Sequence, residues 1–502
     1  MDRKTIRKLL IANRGEIACR IIRSARQMGL QTVAVYAGPD SHALHTTMAD
    51  HARRLEGDDA AATYLDGEAL VAAALASGAE AVHPGYGFLA ENADFARRVS
   101  DAGLIFVGPS PEAIETMGDK IRAREIAAEC GLPLIPSAQL GDSKVSARRA
   151  AKRLGYPVLV KAAAGGGGRG MRVVQGEKAL QDAIDSARRE AESSFGDGRV
   201  YLEKYLDRPR HIEIQIFADD HGRVLQLGER ECSVQRRHQK IIEESPAPLL
   251  SDETRTAMSE AAAALASTIG YRGAGTVEFI VDEEECYYFL EMNTRLQVEH
   301  AVTEMTTSTD LVRWQLDIAR GSALPETAPE TRGHAIECRV YAEDPSNSFL
   351  PTGGRVLGLQ LPTGPGVRVD SCLFEGFEVP LQYDPMLAKV IVWAPDRTQA
   401  LTRAGSALAE FGLLGVRTNL AFLIDILASE LFRDARFFTT TIEERYGDWR
   451  ATPPPVEVSA AAALAAAFGP ASLSVAHERQ TEEPGPWATL GPWRPGQGKA
   501  RP

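Results

Sequence analysis

Apolar runs alternate with amphipathic segments at the start of the chain. Residues 5–36 read as a strand (KLLIAN), a helix (GEIACRIIRSARQMG) and a second strand (QTVAVY), and Gly29 is placed to end the helix. Five apolar side chains share one face of the helical segment: Ile17, Ile21, Ile22, Ala25 and Met28. The pattern returns in GEALVAAALASG/AEAVHP and FARRVSDAG/LIFVG. This alternation predicts a doubly wound parallel sheet covered by helices.

The loop HPGYGFLAEN follows the strand AEAVH, at the edge of the sheet where ligands of such folds bind. Gly85 and Gly87 permit a tight, exposed turn. Tyr86 and Glu91 are therefore its functional candidates. A plain connector is the alternative for this loop taken alone.

Farther along, the segment TVEFIVDEEECYYFLEMN shows strand-like alternation. It predicts two strands, 276–281 and 287–292, joined by an acidic turn. In a symmetric hairpin Glu278 lies opposite Glu291, and facing like charges are normally destabilising. A bound cation would remove this conflict, since Mg²⁺ takes oxygen ligands that include one or two carboxylates. Asn293, on the same strand face as Glu291, would add a third oxygen.

The alternation continues through TRLQVEH, so Arg295, Gln297 and Glu299 are expected on the same strand face as the carboxylates. The opposite face is expected to be apolar: Phe289, Met292, Leu296 and Val298. A solvated polar strand face is the simpler interpretation of any single residue. Six polar groups in one register favour a site instead.

A glycine-rich stretch, AAGGGGRGMRVV, follows a strand that ends near Lys161. Gly165, Gly167 and Gly170 satisfy G-x-G-x-x-G, but the dinucleotide fingerprint requires a helix next, and MRVV reads as a strand. We therefore predict a hairpin whose tip lays backbone N–H groups over a phosphate, helped by Arg169. A merely mobile loop is the alternative.

Four cationic side chains are concentrated in QRRHQK: Arg236, Arg237, His238 and Lys240. In an acidic chain this concentration indicates an anion site, with a solvated basic face as an equal alternative. Glu203 and Lys204, in the strand-like segment before it, could hydrogen-bond an adenine edge.

The last third has short strands with Pro/Gly turns, two helices, and Arg339 inside a strand pattern, where an arginine needs a partner or ligand. Residues 448–502 read as a linker and a disordered or truncated tail. The length of 502 residues predicts several domains. The net charge of −12 disfavours a nucleic-acid partner, and the sequence has neither a signal-type core nor a membrane-length apolar run. Six scattered cysteines agree with a cytoplasmic protein.

Several motifs, in this order and spacing, resemble the biotin carboxylase family, the ATP-grasp component of biotin-dependent acyl-CoA carboxylases. They are LIANRGEIACRII, HPGYGFLAEN, MGDK, VKAAAGGGGRGMRVV, ECSVQRRHQKIIEE, EMNTRLQVEHAVTEM and GHAIECRVYAEDP, and the resemblance covers roughly residues 5–447. Ala301 departs from the family, which usually has proline there; no catalytic consequence is expected.

The resemblance implies roles for these residues. The set implied for ATP comprises Lys120, Lys161, Gly165, Gly166, Gly167, Gly168, Gly170, Met171, Glu203, Lys204, His211, Gln235, His238, Glu278 and Glu291. Mg²⁺ or Mn²⁺ would be held by Glu278, Glu291 and Asn293. Bicarbonate would be bound by Lys240, Arg295, Gln297 and the Val298 backbone, and biotin by Tyr86 and Arg339. The catalytic set implied is Glu299 as the base, with Arg295, Arg339 and Lys240.

The implied reaction is ATP-dependent carboxylation of biotin by bicarbonate through carboxyphosphate, the first half-reaction of an acyl-CoA carboxylase. Its implied partners are a biotin carboxyl carrier protein or domain and a carboxyltransferase subunit, and the implied assembly is a homodimer. Two alternatives remain: a non-catalytic nucleotide-binding scaffold, and an ATP-grasp ligase with another nucleophile.

The expected domain order follows from the same resemblance. An N-terminal domain at 1–117 precedes an ATP-grasp domain at 118–332, whose lid subdomain covers about 133–204. A mixed α+β C-terminal domain at 333–447 precedes the tail.

Overall fold

The computed structural model describes residues 5–140, 144–163, 171–453 and 456. The chain forms two units, Met1–Trp449 and Arg450–Pro502, and the architecture below is that of the first unit. The predicted glycine-rich tip at 165–170 and most of the predicted tail lie outside the described residues.

The first sheet is parallel and has helices on both faces. Its elements are β1 (Lys8–Ile11), α1 (Gly15–Gln27), β2 (Gln31–Tyr36), α2 (Leu44–Met48), β3 (His51–Arg54), α3 (Gly67–Ser77), β4 (Ala81–His83), α4 (Ala93–Asp101) and β5 (Ile105–Phe106), in the strand order β3-β2-β1-β4-β5. Leu9 and Ile11 pack into one core and Leu10 into another, so both faces of β1 are buried. The predicted doubly wound sheet is confirmed.

Two helices, α5 (Pro111–Gly118) and α6 (Lys120–Glu129), lead out of this sheet. The sequence predicts a helix ending near Lys120 and helical structure beyond it, whereas the helix already ends at Gly118. Asp119 caps the second helix, and its side chain accepts hydrogen bonds from the backbone of Ile121 and Arg122. Lys120 therefore lies in the first turn of α6.

A small antiparallel sheet comes next. This part of the chain comprises β6 (Ser137–Gln139), α7 (Lys144–Leu154), β7 (Val158–Ala162), β8 (Arg172–Val174), α8 (Glu177–Phe195) and β9 (Val200–Lys204). The four strands lie in the sheet in the order β6-β9-β7-β8. Lys161 lies at the end of β7, and β7 pairs with β8 as the predicted hairpin. This small sheet lies within the predicted lid range, whose boundaries remain a prediction.

A large antiparallel sheet forms the centre of the unit. Its central elements are β10 (Arg210–Ala218), β11 (Val224–Arg236), β12 (Gln239–Ser245), α9 (Asp252–Thr268), β13 (Gly273–Val281), β14 (Tyr287–Asn293), α10 (His300–Thr307) and α11 (Leu311–Ala319). The following strands are β15 (His334–Tyr341), β16 (Glu343–Asp344), β17 (Leu350–Pro351), β18 (Gly354–Arg355), β19 (Gly358–Gln360), β20 (Val367–Ser371), β21 (Glu378–Val379), β22 (Met386–Ala394) and β23 (Gly412–Leu414).

The eight strands of the large sheet run in the order β14-β13-β10-β11-β12-β15-β22-β20. The pairing of β12 with β15 carries the sheet across the predicted boundary at 332/333. The ATP-grasp and C-terminal parts thus share one sheet. Four helices complete the C-terminal part: α12 (Arg397–Glu410), α13 (Leu420–Ala428), α14 (Glu430–Arg433) and α15 (Thr441–Tyr446). Among the described residues, no helix combines the length and apolar character needed to cross a bilayer.

A bulge shapes the hairpin of β13 and β14. Glu278 pairs with Glu291, but the next pair is Phe279 with Phe289, which leaves Leu290 without a partner in the register. Strict alternation would put Phe289 on the same face as Glu291. The extra residue instead lets Phe289 pack in the apolar core while Glu291 points away from it.

Candidate active site

A row of charged side chains crosses the large sheet. Glu213 on β10 pairs with Arg230 on β11 and with Glu278 on β13, and Glu278 pairs with Glu291 on β14. The predicted pairing of Glu278 with Glu291 is confirmed, and Glu213 adds a third carboxylate to the same row. Three carboxylates side by side require cations close at hand.

Lys240 supplies the central cation. Its Nζ lies 2.5 Å from Glu213 Oε2, 3.0 Å from Glu278 Oε1 and 2.5 Å from Glu299 Oε1. Burial lowers the pKa of Lys240, but these carboxylates outweigh it and hold the pKa well above its usual value. We call Glu213, Lys240, Glu278, Glu299 and Arg339 the base cluster.

Arg339 lies on the other side of Glu299. Its Nη2 donates to Glu299 Oε2 at 3.0 Å and lies 2.5 Å from Glu243 Oε1. Burial would raise the pKa of Glu299, yet the charges of Lys240 and Arg339 hold that pKa well below its usual range. Glu299 is therefore an ionised carboxylate that no solvent reaches.

The turn that carries Glu299 differs from the prediction. The strand ends at Asn293, so the expected alternation does not continue through 294–299. The chain forms a turn instead, and helix α10 begins at His300. The His300 N–H donates to the Gln297 carbonyl within this turn. Gln297 and Glu299 nevertheless enter the cluster, since Gln297 Nε2 donates to Glu278 Oε1 at 2.9 Å.

Arg295 lies in the same turn and takes part in a separate contact. Its Nε donates to Glu91 Oε2 at 2.7 Å, and its Nη2 donates to Asn293 Oδ1 at 2.9 Å. Glu91 also accepts a hydrogen bond from the Thr294 backbone. Of the two loop candidates, Glu91 therefore contacts this turn directly, through Thr294 and Arg295.

The loop that carries Tyr86 is fixed by buried polar groups. Asn13 Nδ2 donates to the carbonyls of Pro84 and Tyr86 at 2.7 and 2.8 Å. His83 Nδ1 accepts from the Gly85 N–H at 3.0 Å, and Gly85 has a positive φ of 65°. A side chain at Gly85 would also contact Asn13 and Ile17, so this turn requires glycine. The Tyr86 hydroxyl is buried and has no hydrogen-bond partner within the described part of the chain.

The residues predicted for a metal offer a suitable donor set. Glu278 and Glu291 face each other, and the side-chain oxygen of Asn293, Oδ1, accepts a hydrogen bond from Arg295 in the unliganded site. Glu291 lies 3.5 Å from Lys120 Nζ and is about one-third exposed, at 32%. Carboxylate and amide oxygens at a partly open position suit a hard divalent cation.

A second group of predicted residues, which we call the nucleotide edge, comprises Lys120, Lys161, Glu203 and Lys204. Lys161 contacts Glu203, whose Oε1 also accepts from Arg124 at 2.8 Å. The Glu203 carboxylate thus contacts two protein cations, whereas the sequence suggested that it would hydrogen-bond an adenine edge. Lys204 Nζ donates to the Gly155 carbonyl at 3.0 Å.

His211 and His238 lie between the two groups. His211 Nε2 contacts Glu278 Oε2 at 2.9 Å, and this carboxylate outweighs burial and raises the pKa of His211. Partial burial lowers the pKa of His238, and the charges of Lys161 and His211 lower it further. Met171 is half-buried directly before β8, and Gln235 is buried opposite Lys240.

The predicted cluster of four cations is not one site. Arg237 and His238 form a two-residue turn between β11 and β12, both with positive φ. Beyond the turn, Lys240 lies in the base cluster. The guanidinium carbon of Arg236 instead lies 4.3 Å from the centre of the Phe349 ring, and Arg236 pairs with Glu343. A hairpin alternates its side chains, so sequence neighbours face opposite ways.

Sequence reasoning missed Glu213, Arg230, Glu243 and Lys389. All four are buried charges inside apolar strands: HIEIQIFA, VLQLGERECSV, IIEES and MLAKVIVWA. The same argument that singled out Arg339 could have found them, since a charge in a buried strand needs a partner. Cys232 is a fully buried thiol beside this cluster, and burial raises its pKa well above the usual value.

Comparison with known families covers most of the chain. Residues 5–114 match the N-terminal domain of biotin carboxylase, and 337–444 match its C-terminal domain. Between them, 119–327 match the ATP-binding domain of the carbamoyl-phosphate synthase L chain.

Individual relatives agree. The mitochondrial methylcrotonoyl-CoA carboxylase subunit alpha of Dictyostelium discoideum is 46% identical over 98% of this chain and 71% of its own length. Biotin carboxylase 1 of Bacillus subtilis is 48% identical over 87% of this chain and 98% of its own length. The chain spans only 58% to 63% of the rodent and dicot plant α-subunits.

Among solved structures, the biotin carboxylase domain of Hydrogenobacter thermophilus 2-oxoglutarate carboxylase superposes with a TM-score of 0.87. It is 45% identical, and the match covers 90% of this chain and 100% of that one. That structure is a dimer in complex with MgADP, ADP and bicarbonate. The resemblance read from the motifs is confirmed, and the chain belongs to the biotin carboxylase family.

Proposed function

We propose that the chain carboxylates biotin with bicarbonate at the expense of ATP, as the first half-reaction of an acyl-CoA carboxylase. One observation carries the assignment: a fully buried, ionised Glu299 lies between Lys240 and Arg339. Such an arrangement provides a base and two cations for anionic reactants in a space closed to water. The names of the family relatives support it.

Glu299 is the base in this proposal. Bicarbonate would bind Lys240, Arg295, Gln297 and the Val298 backbone, and Glu299 would accept its proton as an oxygen of bicarbonate attacks the γ-phosphoryl group, with ADP as the leaving group. In the unliganded site the flanking cations keep the pKa of Glu299 low. Anions that bind Lys240 and Arg295 would weaken that effect, so Glu299 would become a stronger base when substrates are present.

The nucleotide edge would hold the ATP phosphates. Phosphoryl transfer depends on positioning and charge neutralisation, which Lys120 and Lys161 can supply together with the glycines at 165–170. Glu278, Glu291 and Asn293 would hold Mg²⁺ or Mn²⁺, which when bound neutralises phosphate charge. His211, Gln235 and His238 would line the phosphate region, and Met171 the adenine.

Carboxyphosphate would then release CO₂ and phosphate. The phosphate would take the N1′ proton of biotin, and the resulting enolate would attack CO₂. Arg339 would stabilise the enolate oxygen, and Tyr86 would enclose the ureido ring. Once Glu299 is protonated, it no longer neutralises Lys240 and Arg339. These two cations then leave net positive charge where the enolate forms.

Partners and assembly are part of the proposal. We expect a biotin carboxyl carrier protein or domain, a carboxyltransferase subunit and a homodimer. Relatives named for methylcrotonoyl-CoA carboxylase support an acyl-CoA carboxylase, and a biotin carboxylase domain described as a dimer supports the homodimer. The cytoplasmic location remains a prediction, because several relatives are described as mitochondrial.

ADP release by the purified chain, with Mg²⁺-ATP and bicarbonate and with or without free biotin, tests the proposal. We expect release that requires bicarbonate and rises with biotin. A chain that binds ATP but shows neither dependence would contradict it and favour the scaffold alternative. Dependence on bicarbonate without biotin would favour a ligase with another nucleophile.

A further inference from the structure

Lys389 is a fully buried cation in the middle of β22. In the register of the large sheet it pairs with Arg339 on β15 and with Asp370 on β20. An ammonium beside a guanidinium on neighbouring strands is repulsive, and burial removes the hydration of the ammonium as well. Such a residue persists in a fold only where other groups compensate for both costs.

Three acidic side chains supply the compensation. Glu16 Oε1, from the first turn of α1, lies 3.5 Å from Lys389 Nζ, and Asp370 Oδ2 lies 4.0 Å away. Glu337, two residues before Arg339 on β15, is fully buried as well. Burial lowers the pKa of Lys389, but the charges of Glu16, Glu337 and Asp370 raise it above its usual value. Lys389 is therefore an ammonium ion.

Its closest contact is not with a carboxylate. Lys389 Nζ donates to the Val298 carbonyl at 2.7 Å, a shorter distance than to either Glu16 or Asp370. Nζ also lies 5.7 Å from the centre of the Tyr86 ring, within the range of a cation–π interaction. One ammonium thus contacts the residue directly before Glu299 and the ring predicted to enclose biotin.

Both contacts fall on parts of the chain outside regular secondary structure. Residues 294–299 form a turn between β14 and α10, and Tyr86 lies in the loop after β4. Neither segment has a strand or helix ladder to fix it. Lys389, in contrast, lies on an inner strand of the large sheet, paired on both sides. A rigid strand can therefore position two irregular segments at once.

We propose that Lys389 is a positioning residue that holds the Val298–Glu299 peptide and the Tyr86 ring in fixed relation to each other. The inference rests on the proposed function, in which these two groups serve bicarbonate and biotin respectively. Lys389 itself need not touch a reactant, since its ammonium is fully enclosed by protein groups.

The variant K389M tests the proposal, because methionine fills a similar volume but cannot donate a hydrogen bond. We expect hydrogen exchange in peptides covering 84–88 and 294–302 to speed up by about tenfold or more. The variant K8M is a matched control, since Lys8 Nζ also donates to a backbone carbonyl, that of Ser77 at 3.0 Å. Its exchange in those two peptides should equal that of the parent chain.

Kinetics provide a second readout. In K389M, kcat/KM for bicarbonate and for biotin should each fall about tenfold or more, while the Kd for a non-hydrolysable ATP analogue stays unchanged. A merely structural role would weaken nucleotide binding in the same proportion, and that result would overturn the proposal. Unchanged exchange in both peptides would overturn it as well.

Two further features keep the test decisive. Should K389M fail to fold, the double variant E16Q/K389M removes one neighbouring carboxylate together with the cation, and the same pattern is expected of it. Should the parent chain show no bicarbonate-dependent ADP release, the proposed function fails. The exchange measurement then still decides whether Lys389 positions the two segments.

Discussion

The base cluster and the nucleotide edge hold their charges in different ways. Most members of the base cluster lie on strands of one continuous sheet, so the register of that sheet sets their spacing. The nucleotide edge is assembled from separate elements, with Lys120 on α6 and Lys161 and Glu203 on the small sheet. Side chains on one sheet are preorganised, whereas a group assembled from a helix and a separate sheet can change shape as those elements move.

The same substitution in the two regions should therefore have different effects. In E299Q we expect carboxylation to fall by about 10²–10⁴-fold, because the amide cannot accept the bicarbonate proton. Binding of an ATP analogue should persist, since Glu299 belongs to the other region. Steady-state kinetics and calorimetric titration measure the two quantities. Turnover equal to that of the parent chain would refute Glu299 as the base.

Removing Arg339 should separate two steps within the base cluster. In R339A we expect biotin carboxylation to fall by about 10²–10³-fold, the usual cost of losing a group that stabilises a developing anion. Bicarbonate-dependent ATP cleavage should fall less, because Arg339 is assigned to the later step. Parallel assays of ADP release and carboxybiotin formation measure this. Equal losses would show that Arg339 acts before biotin does.

In the nucleotide edge, E203Q should produce a smaller and selective change. The substitution removes the negative charge that both Lys161 and Arg124 contact. We expect the KM for ATP to rise about tenfold, while the KM for bicarbonate stays the same. Initial rates at varied ATP and at varied bicarbonate distinguish these constants. A matched rise in both would mean that the two regions are coupled more tightly than their separate sheets suggest.

The sequence was informative where structure is local. The βα alternation at 5–36 predicts the parallel sheet, and the pairing of Glu278 with Glu291 follows from two strands and a short turn. The turn at 294–299 could not be predicted, because TRLQVEH alternates as a strand does. Strand β14 is instead followed by a turn, by the contact of Val298 with Lys389 on β22, and by helix α10. These features depend on distant parts of the fold.

The missed residues share one physical reason. Arg230 donates to Thr303 at 2.9 Å and Lys389 to Val298 at 2.7 Å, and each pair is more than 70 residues apart in sequence. A charged residue in a buried strand indicates that a partner exists, but the sequence does not show which residue that partner is. The same limit applies to the boundary at 332/333, since only strand pairing reveals that one sheet crosses it.

A neutral imidazole fixes the Tyr86 loop, in contrast to the ionised base cluster. His83 is fully buried, and burial lowers its pKa to about 3. Because the ordinary pKa is about 6.5, the unfolded chain takes up a proton below that pH and the folded chain does not. This contribution to stability is complete above pH 6.5 and is lost as the pH falls toward 3.

Replacing His83 should therefore flatten the dependence of stability on pH. Relative to H83N, the free energy of unfolding of the parent chain should fall by up to about 1.4 kcal/mol for each pH unit between 6 and 4. Urea unfolding at several pH values measures this difference. The variant H221N, at an exposed histidine, should run parallel to the parent chain. Parallel curves for H83N as well would mean that His83 is protonated in the folded protein, and the Gly85 N–H could not then donate to it.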